Sequence, residues 1–600
     1  MNLKKQSKLF YVSLLLCSIL AFSCLLFLFD NNLQEILFRF GDNLKGKTLN
    51  RRDFQIVELF FSGLCFFITF PFYFFNFRYY WEKETISLGK RNGGGYNSYI
   101  RSYFEFLKNN VRLLVFVIFI LTAIYGLKLF NIVISMDTDL HMEHNQWAWS
   151  IQIGRFGYAF LQKVFHPFGF NLYLSTFLAL TFLAMGTMAW CHFMHLVSPS
   201  EKRVPLYLFA AFFASSNVWA SQIYFSCQSA EALFIVLICP IVVYFLFAGI
   251  LHKNKIHIAL SMLMVVFIIS VYQSSVLMIC VGLLICFYYN NCRSDKTNDS
   301  EKERWILALK IIVAVAICFV VYFLVDRLVC AAFGIQKGDF YHDEYLKKDT
   351  SLIKNLAKFL VKMAARNPLT AIFLVVTFPM YLFIVRQKNS VVCAITLLLI
   401  PASCCVFGII TGTVSYRVEY STPLAMAFII FILLKNFKGS ARMTAFLIGT
   451  VLGFLCVEES SMFNYTELRR HEQDKAIAQD IASRIGMLGT PEEISKLPVL
   501  LYGTYKTEFN SGHLNRGVFC HSAFHSGGGG LTDATRRGIA FMNDIGFVGY
   551  DFKKISVDDM SLVLKARAEA ERMPNYPEKG CVKNIGDAIV VRLSDITDEL

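Results

Sequence analysis

Apolar runs of about 17–25 residues recur along most of this chain, each long enough to cross roughly 30 Å of hydrocarbon. Within lipid a backbone must satisfy its own hydrogen bonds, and a helix does so inside a single run. The runs centre near residues 19, 67, 123, 184, 212, 241, 263, 282, 316, 378, 401, 428 and 449. They predict a mainly α, polytopic membrane protein of about thirteen transmembrane helices. Composition agrees: 55% of the 600 residues are hydrophobic and 17% are charged, against about 25% charged in a soluble domain. "MNLKKQSK" and the run from Leu9 to Phe29 resemble a signal peptide. The run is long and no small-residue cleavage site follows, so it is read as a retained first span.

The net charge of +14 decorates loops and is a topology signal, not a nucleic-acid signal. The loops "RYYWEKETISLGKRNGGGYNSYIRSYFEFLKNN", "SEKRV", "HKNKIH", "NNCRSDKTNDSEKER", "RQK" and "KNFKGSAR" are basic. They alternate with the acidic or neutral "MDTDLHMEHNQ", "SQIYFSCQSAE", "TGTVSYRVEY" and "VEESSMFN". The pattern expects a cytoplasmic N-terminus and an extracytoplasmic C-terminus. The basic loop at 31–56 dissents.

After Val457 the composition turns polar. The reading is a transmembrane domain over 1–462 and a small extracytoplasmic α/β domain over 463–600. A helix is expected in "YTELRRHEQDKAIAQDIASRIG", strands in "LPVLLYG" and "DAIVVRLS", another helix in "TDATRRGIAFMNDIG", and a hinge at "GGGG". This region carries no phosphate loop, zinc pattern or nucleophile elbow. It reads as an accessory piece that caps or positions a substrate, or as one that only stabilises the fold. Cys520 and Cys581 are its two cysteines, and outside the cytoplasm they are expected to form a disulfide.

The first long outer loop opens with "MDTDLHMEH". Asp137, Asp139, His141, Glu143 and His144 admit three readings. They are a solvated loop, a divalent-metal site with His141 and His144 at i, i+3, or a general base for a hydroxyl. Trp147 and Trp149 suit an interfacial belt or stacking on a sugar face. Arg155 follows Gly154, and arginine forks suit phosphate. Also on the outer face are Arg417 in "SYRVEY", Tyr272 and Gln273 in "VYQSSV", and Glu231 ending "FSCQSAE". Asp326 and Arg327 are expected to neutralise each other. Lys354, Lys358 and Lys362 line one face of "SLIKNLAKFLVKMAARNP". That segment reads as a basic helix lying in the interface, or as an ordinary soluble one.

The acidic pair, then W-S-x-x-x-G-R-F, then "VYQSSV" and "SYRVEY", resemble the type II membrane glucosyltransferases that modify bacterial O-antigen. The likeness spans roughly residues 110–440. Thr138 stands between aspartates that are more often adjacent in that family, and Cys227 and Gln228 stand where the family tends to have an aspartate. The resemblance implies a GT-C fold in the bacterial inner membrane with its site on the periplasmic face. The implied donor is glucose on undecaprenyl phosphate, made and flipped by separate proteins. The implied acceptor is a hydroxyl of a lipid-linked or surface polysaccharide. No cofactor is required, although a divalent metal stays open, and no nucleic acid is involved. Asp139 is expected as general base, with Asp137 orienting. Arg155 and Arg417 are expected on the lipid phosphate, and Trp149, Tyr272 and Gln273 on the sugar or prenyl head. Lys354, Lys358 and Lys362 would attract the anionic head group. A flippase, an exporter or a polysaccharide polymerase is the rival. No internal repeat is visible and the span middles are almost free of charge, which disfavours a transporter.

Overall fold

The computed structural model describes residues 96–135, 137–138, 147–198, 204–291, 301–338, 368–386, 388, 390–406, 416–505, 522–525, 531–546, 552 and 559–596. All of these belong to the compact unit Gly94–Leu600. The unit is mostly helical. Eight helices are long and apolar enough to cross a membrane, and three shorter apolar helices accompany them. Each expected centre from 123 onward falls in one of these. The two expected near residues 19 and 67 lie outside the described residues, and the expected total of about thirteen is not reached among the described ones.

In chain order the helices that build the site are α1 (Val111–Phe130), α2 (Trp147–Gln152), α3 (Phe156–Phe165), α4 (Leu172–Val197) and α5 (Ser229–His252). They continue with α6 (Lys255–Val271), α7 (Val276–Asn291), α8 (Glu301–Ala332), α9 (Ser421–Asn436) and α10 (Gly439–Gly486). α9 is the hub: every residue from Ser421 to Leu434 is buried. α8 is the opposite case. Ala314, Cys318, Tyr322, Asp326 and Cys330 form a buried i, i+4 stripe. Ile312, Val320, Leu324 and Leu328 are exposed on the rest of it, a surface that suits lipid. The basic stretch before α1 is not merely a loop. It holds an amphipathic helix, Tyr96–Asn109, whose Tyr99, Tyr103 and Phe106 pack on His192.

α10 has 48 residues, or about 72 Å at 1.5 Å per residue, more than twice the hydrocarbon thickness. No Pro or Gly interrupts it between Gly453 and Gly486, so the helix runs straight through the boundary expected at 462. Beyond it come a short helix Pro491–Ile494, β1 (Val499–Tyr502), α11 (Leu531–Ile545), α12 (Met560–Ala570), β2 (Val582–Asn584) and β3 (Ile589–Arg592). β3 is the central strand, parallel to β1 and antiparallel to β2. The two expected strands and the expected helix at 531–545 form; α12 and the short β2 were not anticipated. Cys581 is a free, buried thiol whose sulfur accepts a hydrogen bond from Arg484 at 3.4 Å. Its expected disulfide partner, Cys520, lies outside the described residues, as does the hinge at 527–530.

Candidate active site

The turn Tyr224–Glu231, between a short helix Asn217–Tyr224 and α5, gathers the site. Its carbonyls and side chains receive groups from four other parts of the chain. Ser175 Oγ donates to Ser226 O at 2.6 Å. Tyr158 Oη donates to Cys227 O at 2.8 Å and accepts from Gln162 Nε2 at 2.7 Å. Lys128 and Ser135 both donate to Tyr224 O. Both expected arginines reach the same turn. Arg155 Nη1 donates to Gln228 Oε1 at 3.1 Å, and the Arg417 guanidinium lies over the Phe225 ring at 4.4 Å.

Local structure aims Arg155. Gly154 has φ +81, a left-handed conformation that a side chain disfavours. A Cβ there would also stand 2.5 Å from Tyr322 Oη. Gly157 is needed for a different reason: a Cβ would collide with Ser270 on α6. Arg155 Nε donates to Gln273 Oε1 at 3.3 Å, and the guanidinium stacks over Tyr272 at 4.6 Å. Tyr272 in turn packs on Tyr420 at 5.2 Å. The Gln273 amide, expected to serve a substrate, is engaged inside the protein, since its Nε2 also donates to Ile153 O at 3.0 Å.

Asp137, a few residues beyond α1, has φ +68. The turn is held by Thr138, whose N–H donates to Ser135 O at 3.0 Å and whose hydroxyl meets Ser135 Oγ at 3.0 Å. Thr138 is fully buried. The residue that separates the aspartates is therefore part of what shapes the turn. Asp137 Oδ1 accepts from Arg537 Nη2 on α11 at 2.9 Å. Arg470 on α10 donates to Ile134 O at 2.7 Å. The polar C-terminal region thus bonds directly to the segment that carries the first aspartate. Asp139, His141, Glu143 and His144 lie outside the described residues, as do Lys354, Lys358 and Lys362. Among the described residues no three His, Cys, Asp or Glu side chains are grouped to hold a metal.

Glu231 is buried in the first turn of α5, 4.0 Å from His166 Nε2. Burial raises the Tyr158 hydroxyl well above the ordinary tyrosine range; Cys227, Glu231 and Asp137 add to that rise, and Arg155 opposes it. Trp147 packs edge-on to Phe333 at 5.4 Å with Lys163 over it at 5.2 Å, while Trp149 is exposed. The neighbour pairing expected of Asp326 and Arg327 does not occur. Residues one apart on a helix point about 100° apart. Asp326 faces inward and pairs with Lys337, and Arg327 is exposed.

The family model described as glucosyl transferase GtrII matches residues 126–434, just over half of the chain. This chain belongs to the GtrII glucosyl transferase family. No curated protein and no solved structure matches it. The GtrII match takes in Asp137, Arg155, Glu231, Tyr272, Gln273 and Arg417; Arg537 lies beyond its end. Sequence reasoning passed over Tyr158, Tyr322 and Arg537, and it noted Gln228 only as a departure from the family pattern, not as a partner of Arg155. Tyr158 and Tyr322 sit among apolar neighbours, and Arg537 is one of many basic residues in a polar region.

Proposed function

We propose that this GtrII-family protein transfers glucose from undecaprenyl phosphate to a hydroxyl of O-antigen or a related surface polysaccharide, on the periplasmic face of the inner membrane. The observation that carries the reading is the convergence of Arg155 and Arg417 on one turn, which leads into Glu231 and accepts a hydrogen bond from Ser135, two residues before Asp137. Guanidinium groups suit a phosphate leaving group, and carboxylates suit a hydroxyl nucleophile.

In this reading Asp139 takes the proton of the acceptor hydroxyl, and Asp137 orients it. The acceptor oxygen bonds to the anomeric carbon from the face opposite the phosphate. The bond from that carbon to the phosphate oxygen breaks, and its electron pair leaves with the lipid phosphate. The configuration inverts. Arg155 and Arg417 stabilise the growing negative charge, and the exposed Trp149 offers a face to the sugar. No metal is needed for these steps. The membrane region is read as GT-C-like. Residues 463–600 are read as a periplasmic accessory region, a role supported by the Arg537–Asp137 bond.

Membranes supplied with radiolabelled undecaprenyl-phosphate glucose test the whole reading. Label moving into polysaccharide is expected. Label that only crosses the bilayer means a flippase, and label ignored in both senses means a polymerase. Asp139→Asn should cut turnover by about 10²–10⁴-fold while leaving abundance intact. An Asn variant that transfers at the wild-type rate removes Asp139 from the mechanism.

A further inference from the structure

Tyr322 stands on the buried stripe of α8, remote in sequence from Gly154 and Gln273. Its hydroxyl donates to Gly154 O at 2.9 Å and accepts from Gln273 Nε2 at 3.3 Å. The other end of that amide, Gln273 Oε1, accepts from Arg155 Nε at 3.3 Å. The Tyr322 ring also stacks on Phe156 at 6.1 Å with 19° between the planes. Both chain neighbours of Arg155 therefore rest on Tyr322, and the guanidinium is joined to the same hydroxyl through one amide. The chain of hydrogen bonds closes on itself through the Gly154–Arg155 peptide.

An arginine side chain has considerable rotamer entropy to lose. Its fork stabilises developing charge only if it is already aimed when the charge appears. We propose that Tyr322 is a positioning residue that fixes the direction of the Arg155 guanidinium toward the anionic leaving group. This inference rests on the phosphate-binding role given to Arg155 above. It also accounts for Gly154, since a Cβ at that position would displace the Tyr322 hydroxyl.

Tyr322→Phe keeps the ring stack and deletes the two hydrogen bonds of the hydroxyl. In the purified full-length protein with undecaprenyl-phosphate glucose and polysaccharide, kcat should fall about tenfold or more, with donor KM changed less than about twofold. The melting temperature should be unchanged. Arg155→Gln should lose more, and Y322F/R155Q should be no worse than R155Q alone, because both changes remove one function. Losses that multiply, or a Y322F protein as fast as wild type, overturn the proposal. Gln273→Ala cuts the same chain at its other link and supplies the same comparison if Y322F fails to accumulate. A wild-type protein that moves no glucose from this donor refutes the donor reading instead, so the two failures are distinguishable.

Discussion

Glu419 carries the clearest consequence at the scale of one residue. It follows the 3-10 turn Tyr416–Val418, is almost fully buried, and burial pushes its carboxyl up to about 8 from an ordinary 4.5. The folded protein therefore holds this proton where the unfolded chain releases it. The contribution is full below the unfolded value and is lost as pH rises through the folded value, so stability should decline between about pH 4.5 and 8. Glu419→Gln imitates the protonated form. In detergent its melting temperature should equal wild type near pH 5 and exceed it by a few degrees near pH 9. Equal curves at pH 9 would mean that Glu419 is solvated. The sequence could not show this, because "SYRVEY" reads as an ordinary charged loop beside a span.

At the scale of elements, α8 and α10 show what a membrane sequence conceals. Lipid and protein core are both apolar, so a spanning helix carries no polar face to mark its outside. The Ala314–Cys330 stripe of α8 is visible only once its neighbours are in place, and Tyr322 was overlooked for that reason. Existence was easier than orientation: Leu172–Val197 and Ser229–His252 lie where hydropathy put them. In α10 the drop in hydropathy after Val457 marked a change of surroundings, yet the backbone does not break there. Its C-terminal half buries Arg470 between Glu467 and Asp474, with all three nearly inaccessible. Asp474 further accepts from Ser522 Oγ at 2.6 Å and from the Ala523 N–H at 2.8 Å. Deleting one partner of such a buried set costs about 3–5 kcal/mol, because the other charges stay buried. Arg470→Met should therefore unfold at clearly lower denaturant. Adding Glu467→Gln and Asp474→Asn should recover much of the loss, since the stranded charges are then gone. A single variant as stable as wild type would show the carboxylates to be hydrated.

For the whole molecule, contacts fix which parts must share a side of the membrane. Arg537 bonds Asp137, Arg470 bonds the Ile134 carbonyl, and Tyr158 bonds the turn at Cys227. The first outer loop and the C-terminal region are therefore on one face, whichever face that is. Loop charge alone placed the same two regions on one side, while the partners of their residues were not legible. Charge bias names a side, but it does not say that Gln273 serves Arg155 or that Thr138 shapes the aspartate turn. The turn after α3 belongs to the same face through the His166–Glu231 contact, and its Phe168 is fully exposed. A protease site inserted at Phe168–Gly169 and another appended after Leu600 should both be cut when protease is added to cells with a permeabilised outer envelope. A site in the basic loop between α7 and α8 should be cut only after lysis, because the positive-inside bias assigns that loop to the cytoplasm. Cleavage at one of the first two sites without the other would break the shared-face geometry, and with it the juxtaposition of Asp137 and Arg537. Cleavage of all three from outside would leave that geometry standing and overturn only the assignment of sides.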